Sequence, residues 1–92
     1  GQVQVDSGAL QALRSGKSLL PAGVTAVFGD FARGELVRIL HEDGQDLGCG
    51  LIAFDSVEAQ KILGCHTKRV EHILGYASRG ALIHRDDMVF QG

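Results

Sequence analysis

The chain has 92 residues, 45% apolar and 22% charged, with thirteen glycines, one proline and a net charge of −2. That is enough chain for one domain, too apolar for disorder, with no apolar run near the ~20 residues needed to span a bilayer. Nine basic side chains are mixed among eleven acidic ones, so no strong pull on polyanions is expected. These balances point to a soluble, cytoplasmic protein. The start at Gly1 rather than Met, running at once into a strand, suggests a piece of a longer polypeptide.

Gln2 to Val5 reads as that first strand. Asp6 stands where an N-cap belongs, Val5 and Leu10 have the spacing of a hydrophobic staple, and Gly16 supplies a stop. A short helix carrying Leu10 and Leu13 on one face follows. Pro21 forces an extended Leu20 and Gly23 allows a tight bend, which turns the chain into a strand over Thr25 to Phe28. The corner Arg33-Gly34-Glu35 leads into a strand over Leu36 to Leu40, with Val37 and Ile39 facing one way. His41-Glu42-Asp43-Gly44 suits a type I hairpin turn with its last residue left-handed. The partner strand is expected over Gln45 to Phe54. Leu47, Cys49, Leu51 and Ala53 would line one face, making Cys49 a buried inert thiol, and Gly48, Gly50, Ile52 and Phe54 the other. Glycines on one strand face signal sharp coiling or a close backbone approach.

Asp55 and Glu58 have the spacing of a capping box, and Gly64 closes that helix. Thr67 is placed to cap another, with Val70, Ile73 and Leu74 on its apolar face before Gly75. Ala81 to His84 and Met88 to Phe90 are the last strand candidates, and the final one is expected to pair with the first and close the sheet, removing an edge.

No stretch carries catalytic chemistry, and no catalytic or metal site is expected. His84-Arg85-Asp86 has the letters of a protein-kinase catalytic loop without its downstream partners. A turn is the plainer reading, with Asp86 or Asp87 bonding local amides and His84 anchoring the closing strand. Cys65, His66 and His72 lack the paired spacing of metal ligands, and a Cys49 to Cys65 disulfide is not expected in a reducing compartment. Gly48-Cys49-Gly50 lies within a strand rather than at a helix N-terminus, so its amides serve the ladder and not a phosphate. The four Phe and one Tyr read as core or staple residues, which leaves few stacking platforms for bases.

Val5-Asp6-Ser7-Gly8-Ala9-Leu10, Gly16-Lys17-Ser18-Leu19-Leu20-Pro21-Ala22-Gly23-Val24, Phe31-Ala32-Arg33-Gly34-Glu35 and Asp46-Leu47-Gly48-Cys49-Gly50-Leu51 resemble the pseudouridine synthase and archaeosine transglycosylase (PUA) domain. Ile73-Leu74-Gly75-Tyr76 and His84-Arg85-Asp86-Asp87-Met88-Val89 are similar to the C-terminal PUA domain of bacterial glutamate 5-kinases. The resemblance implies a mainly β fold, a PUA-like pseudo-barrel of five or six mixed strands with two or three short helices packed outside. It implies that residues 1–92 are a single PUA domain whose N-terminal amino-acid kinase domain is absent here. That domain would bind ATP, Mg²⁺ and glutamate, and would phosphorylate the glutamate side-chain carboxylate in the first step of proline synthesis. The PUA domain itself would need no cofactor.

Two partner roles follow from the resemblance. In the first, the domain packs on the kinase domain or on a neighbouring subunit of a homo-oligomer and tunes activity, assembly or feedback. In the second it binds RNA, as PUA domains of RNA-modifying enzymes do with the first helix, the following loop and the sheet edge. The matching positions are Gly8, Ala9, Arg14, Lys17 and Arg33. Only three of these are basic, which makes RNA binding weak and steeply salt-dependent. The accessory role is therefore the leading expectation. No membrane partner is expected.

Overall fold

The computed structural model describes residues 1–76 and 80–91. Strand β1 (Gln2–Val5) sits inside the sheet because its alternating valines, Val3 and Val5, are both fully buried. It pairs antiparallel with β2 (Val24–Phe28) on one side and parallel with β3 (Leu36–His41) on the other. β3 then pairs antiparallel with β4 (Asp46–Leu51), and β4 with β5 (Met88–Phe90), so the order among the described residues is β2-β1-β3-β4-β5. The hairpin between β3 and β4 closes with a Gly44 amide to His41 carbonyl bond of 2.8 Å, and Gly44 takes the left-handed place at φ 91°.

Helix α1 (Ser7–Arg14) begins as its sequence dictates: Asp6 Oδ1 accepts the Ala9 amide at 2.8 Å, and Val5 and Leu10 are both buried beneath the cap. A 3-10 turn over Pro21–Gly23 follows it. Helix α2 (Ser56–Ile62) carries the reciprocal capping box between Asp55 and Glu58, and α3 (Thr67–Leu74) ends on Gly75 in the left-handed conformation. A second 3-10 turn spans Arg85–Asp87. Leu10 and Leu13 of α1, Ala59 and Ile62 of α2 and Val70 of α3 join Val3, Val5, Val37 and Ile39 of the sheet in one apolar core. The expected mainly β architecture, with short helices on a mixed five-stranded sheet, is the one observed.

The structure corrects several details. β5 pairs with β4 and not with β1, so the last strand does not close the sheet onto the first. Ala81 to His84 form no strand; Ile83 makes a single bridge to Leu19. The amide at Leu19 donates to the Ile83 carbonyl at 2.9 Å, while the Leu19 carbonyl accepts from Leu82 at 2.7 Å. The α3 N-cap is His66, which offers no side-chain bond, rather than Thr67.

β4 is also shorter than expected and irregular. Ile39 pairs with Gly48 but Leu40 pairs with Asp46, leaving Leu47 as an extra residue. That bulge resets the alternation. Leu47 is buried at the bulge, whereas beyond it Ile52 and Phe54 are the buried side chains and Leu51 is 44% exposed. Ala53 is exposed and Cys49 half-buried, so Cys49 is not the enclosed thiol that strict alternation implied. Gly48 sits at φ 134°, and a Cβ there would lie 2.0 Å from the Val89 carbonyl oxygen. The glycine is there because β5 approaches that closely.

Candidate functional site

The five positions expected to contact a partner do not line one hollow. Gly8, Ala9 and Lys17 come together along a groove of about 370 Å³ between α1 and the segment from Lys17 to Gly23. Its geometry follows from the cap: the Asp6 amide donates to the Gly23 carbonyl at 3.0 Å, drawing the two segments together. A Cβ at Gly23 would stand 2.5 Å from the Ala9 methyl, so this close approach requires glycine. Ala12, Leu19 and Leu20 complete a largely apolar lining with Lys17 as its basic group. Arg14, in the last turn of α1, does not line the groove, and Arg33 lies elsewhere.

Arg33 belongs to a second hollow, of about 420 Å³, at the exit of β4. The corner carrying it is fixed to the end of that strand: the Gly34 amide donates to the Ile52 carbonyl at 2.8 Å and the Ile52 amide to the Glu35 carbonyl at 3.1 Å. Arg33 Nε and Nη2 then fork onto Glu58 Oε1 and Oε2 at 3.0 and 2.6 Å. Tyr76 donates its hydroxyl hydrogen to Glu58 Oε2 at 2.6 Å, and Arg33 Nη2 also donates to the Tyr76 oxygen. The guanidinium lies 5.5 Å from the Tyr76 ring centroid.

Glu58 is the hub of this cluster, since its Oε1 also accepts the Asp55 amide at 3.2 Å to complete the α2 capping box. The Arg33 bonds, ahead of those from Tyr76 and the Asp55 amide, hold the Glu58 carboxyl down to about 2. The same pair raises Arg33 and Tyr76 above their ordinary values, chiefly through the hydrogen bond each makes to Glu58.

His84 and Asp87 line the same hollow as Leu51 and Ala53 of the strand exit. The turn at His84 is built in the reverse sense to that expected: the imidazole Nδ1 accepts the Asp86 amide at 3.1 Å, ahead of the 3-10 turn. In the neutral ring the hydrogen therefore sits on Nε2. Sequence reasoning placed Tyr76 in the core and Glu58 only in a cap. The signal was present in Gly75-Tyr76 and His84-Arg85-Asp86-Asp87, which carried the narrower resemblance and from which Tyr76, His84 and Asp87 line this hollow. Phe28, 49% exposed, and Tyr76, 40% exposed, also depart from the expected core aromatics.

Among the described residues no three His, Cys, Asp or Glu side chains are placed to hold one metal ion, and Cys49 and Cys65 are both free thiols. No helix among them is long and apolar enough to cross a membrane.

The PUA domain family model matches residues 1–74. Glutamate 5-kinases of Brucella ovis and Brucella canis are each 52% identical to this chain over 89 residues, which is 97% of this chain and 24% of theirs. The chain thus spans about a quarter of the length of these relatives. Among solved structures, a PUA domain protein of Aeropyrum pernix K1, crystallised as a tartrate complex, superposes with a TM-score of 0.67 at 30% identity, over 91% of this chain and 41% of that one. A chain of the archaeal box H/ACA sRNP Nop10-Cbf5 complex shares the fold alone, with a TM-score of 0.62 at 14% identity over 98% of this chain and 23% of its own. The family match over residues 1–74 and the sheet order around a buried β1 agree: the chain belongs to the PUA domain family.

Proposed function

We propose that this chain is the accessory, non-catalytic C-terminal domain of a cytoplasmic glutamate 5-kinase. The observation that carries this reading is the 52% identity to glutamate 5-kinases along 97% of the chain. In such an enzyme an amino-acid kinase domain outside these residues binds ATP, Mg²⁺ and glutamate and transfers the γ-phosphate to the side-chain carboxylate. The PUA domain contributes surfaces, packing on that kinase domain or on a neighbouring subunit of a homo-oligomer, and so modulates turnover, feedback or assembly. The test is deletion of this domain from a full-length enzyme carrying it, followed by turnover, proline inhibition and solution mass. A change in at least one supports the reading, and unchanged values in all three overturn it.

The groove beside α1 supports a second reading, an RNA contact, because it gathers Gly8, Ala9 and Lys17 on one exposed surface. Arg33 lines the other hollow, which leaves Lys17 and Arg14 as the cations of the expected set near this groove. Binding of a structured RNA is expected to be weak and to fall steeply with added salt. Titration at low and moderate salt decides the matter, and absence of binding at both removes this role.

A further inference from the structure

The hollow around Arg33 draws on three stretches far apart in sequence: the Arg33-Gly34 corner, the strand exit from Leu51 to Phe54, and the tail residues Tyr76, His84 and Asp87. Its size, about 420 Å³, falls in the range of small-molecule sites, roughly 300–1,000 Å³. Leu51 and Ala53 form an apolar wall that is exposed among the described residues. Polar groups of both kinds stand around it.

On the donor side is Arg33, already held in one geometry by the fork to Glu58 and by Tyr76. Its Nη1 makes no hydrogen bond among the described residues. His84 also lines the hollow; its Nδ1 accepts the Asp86 amide at 3.1 Å, with the Asp86 carboxylate 3.5 Å away, so in the neutral ring the hydrogen sits on Nε2. On the acceptor side is the Asp87 carboxylate, which has no ion-pair or hydrogen-bond partner among the described residues. A simple anion in this hollow would meet Asp87, and a simple cation would meet the Arg33 guanidinium. A molecule bearing both charges satisfies each.

We propose that this hollow binds a small zwitterion, an α-amino acid with a compact apolar side chain. Its carboxylate takes the hydrogens of Arg33 Nη1 and His84 Nε2, its ammonium faces Asp87, and its side chain lies on Leu51 and Ala53. Because Arg33 is fixed before the ligand arrives, binding does not have to order it. Glu58 offsets the Arg33 charge and the hollow stays open on one side, so affinity is modest, with Kd about 1–10 mM. The site is distinct from the groove beside α1 and does not depend on what the rest of the polypeptide does.

The experiment is a titration of the ¹⁵N-labelled 92-residue protein with L-valine, followed by amide chemical shifts. Parallel titrations use 3-methylbutyrate, which lacks the amino group, and isobutylamine, which lacks the carboxylate. Saturable shifts at Gly34, Ile52, Ala53 and Tyr76 are expected, with both half-molecules at least about fivefold weaker. Asp87→Asn should weaken L-valine by at least about fivefold, and Ala53→Phe, which fills the hollow from an exposed position, should abolish binding. Both variants change exposed residues and should leave the rest of the spectrum native. The proposal is overturned if L-valine gives no saturable shift up to about 50 mM. It is equally overturned if 3-methylbutyrate binds as tightly as L-valine, or if the shifts centre on Gly8, Ala9 and Lys17.

Discussion

Arg33 and Glu58, 25 residues apart in sequence, meet through two parallel hydrogen bonds of 3.0 and 2.6 Å. The carboxylate that receives them also caps α2, so one charged group secures both a loop and a helix start. Its folded value of about 2 lies below the ordinary 4.5, so its stabilisation is fully present above pH 4.5 and is lost as pH falls toward 2. Arg33 is 55% exposed, so solvent screens the pair. Glu58→Gln keeps an acceptor at the capping position and is expected to cost at most about 1 kcal/mol at neutral pH. It should also flatten the acid-side loss of stability between pH 4.5 and 2. Urea unfolding across that range checks both, and an unchanged slope would assign the titration to another carboxyl.

Asp55→Ala removes the acceptor for the Glu58 amide, now bonded at 2.8 Å, and with it half of the capping box. A loss of about 1 kcal/mol is expected, seen as a drop of roughly 4–8 °C in thermal midpoint for a domain of this size. Asp6→Ala should behave alike, since its Oδ1 holds the Ala9 amide at the same 2.8 Å.

Gly48→Ala should be far more damaging than Gly16→Ala. Both glycines have positive φ, but a methyl at position 48 runs into the Val89 carbonyl, while position 16 faces open space. The first is expected to cost more than about 2 kcal/mol and the second about 1 kcal/mol. Hydrogen exchange gives the finer readout: the amides of β5 should lose protection in Gly48→Ala and keep it in Gly16→Ala.

Denaturing the protein without reductant should release two titratable thiols per chain, as the free state of Cys49 and Cys65 requires. A count of zero would mean that the chain bridges them.

The first half of the fold is written in local chemistry. Asp6 with Ala9, the Val5 and Leu10 staple, and the Asp55 and Glu58 box each act within a few residues, so their spacing alone located α1 and α2. What spacing could not carry was pairing between distant segments. Nothing near Met88 says that β5 lies against β4 rather than β1, and the bulge at Leu47 is set by how β3 and β4 meet, so strict alternation misplaced Cys49 and Leu51. The site followed the same rule. Gly8, Ala9 and Lys17 are near in sequence and line one groove, whereas Arg33 lines another hollow, where its partners Glu58 and Tyr76 arrive from distant segments.

Leu19, early in the chain, shares both its backbone groups with the pair Leu82 and Ile83, all three having almost no solvent contact. During synthesis, then, the interior has to wait: an emerging polypeptide can form α1 and the β3–β4 hairpin, but it stays incomplete until the tail has left the ribosome. A recombinant boundary drawn at residue 74, where the family match stops, would produce a permanently unfinished version of that intermediate, with leucine and valine surfaces left wet.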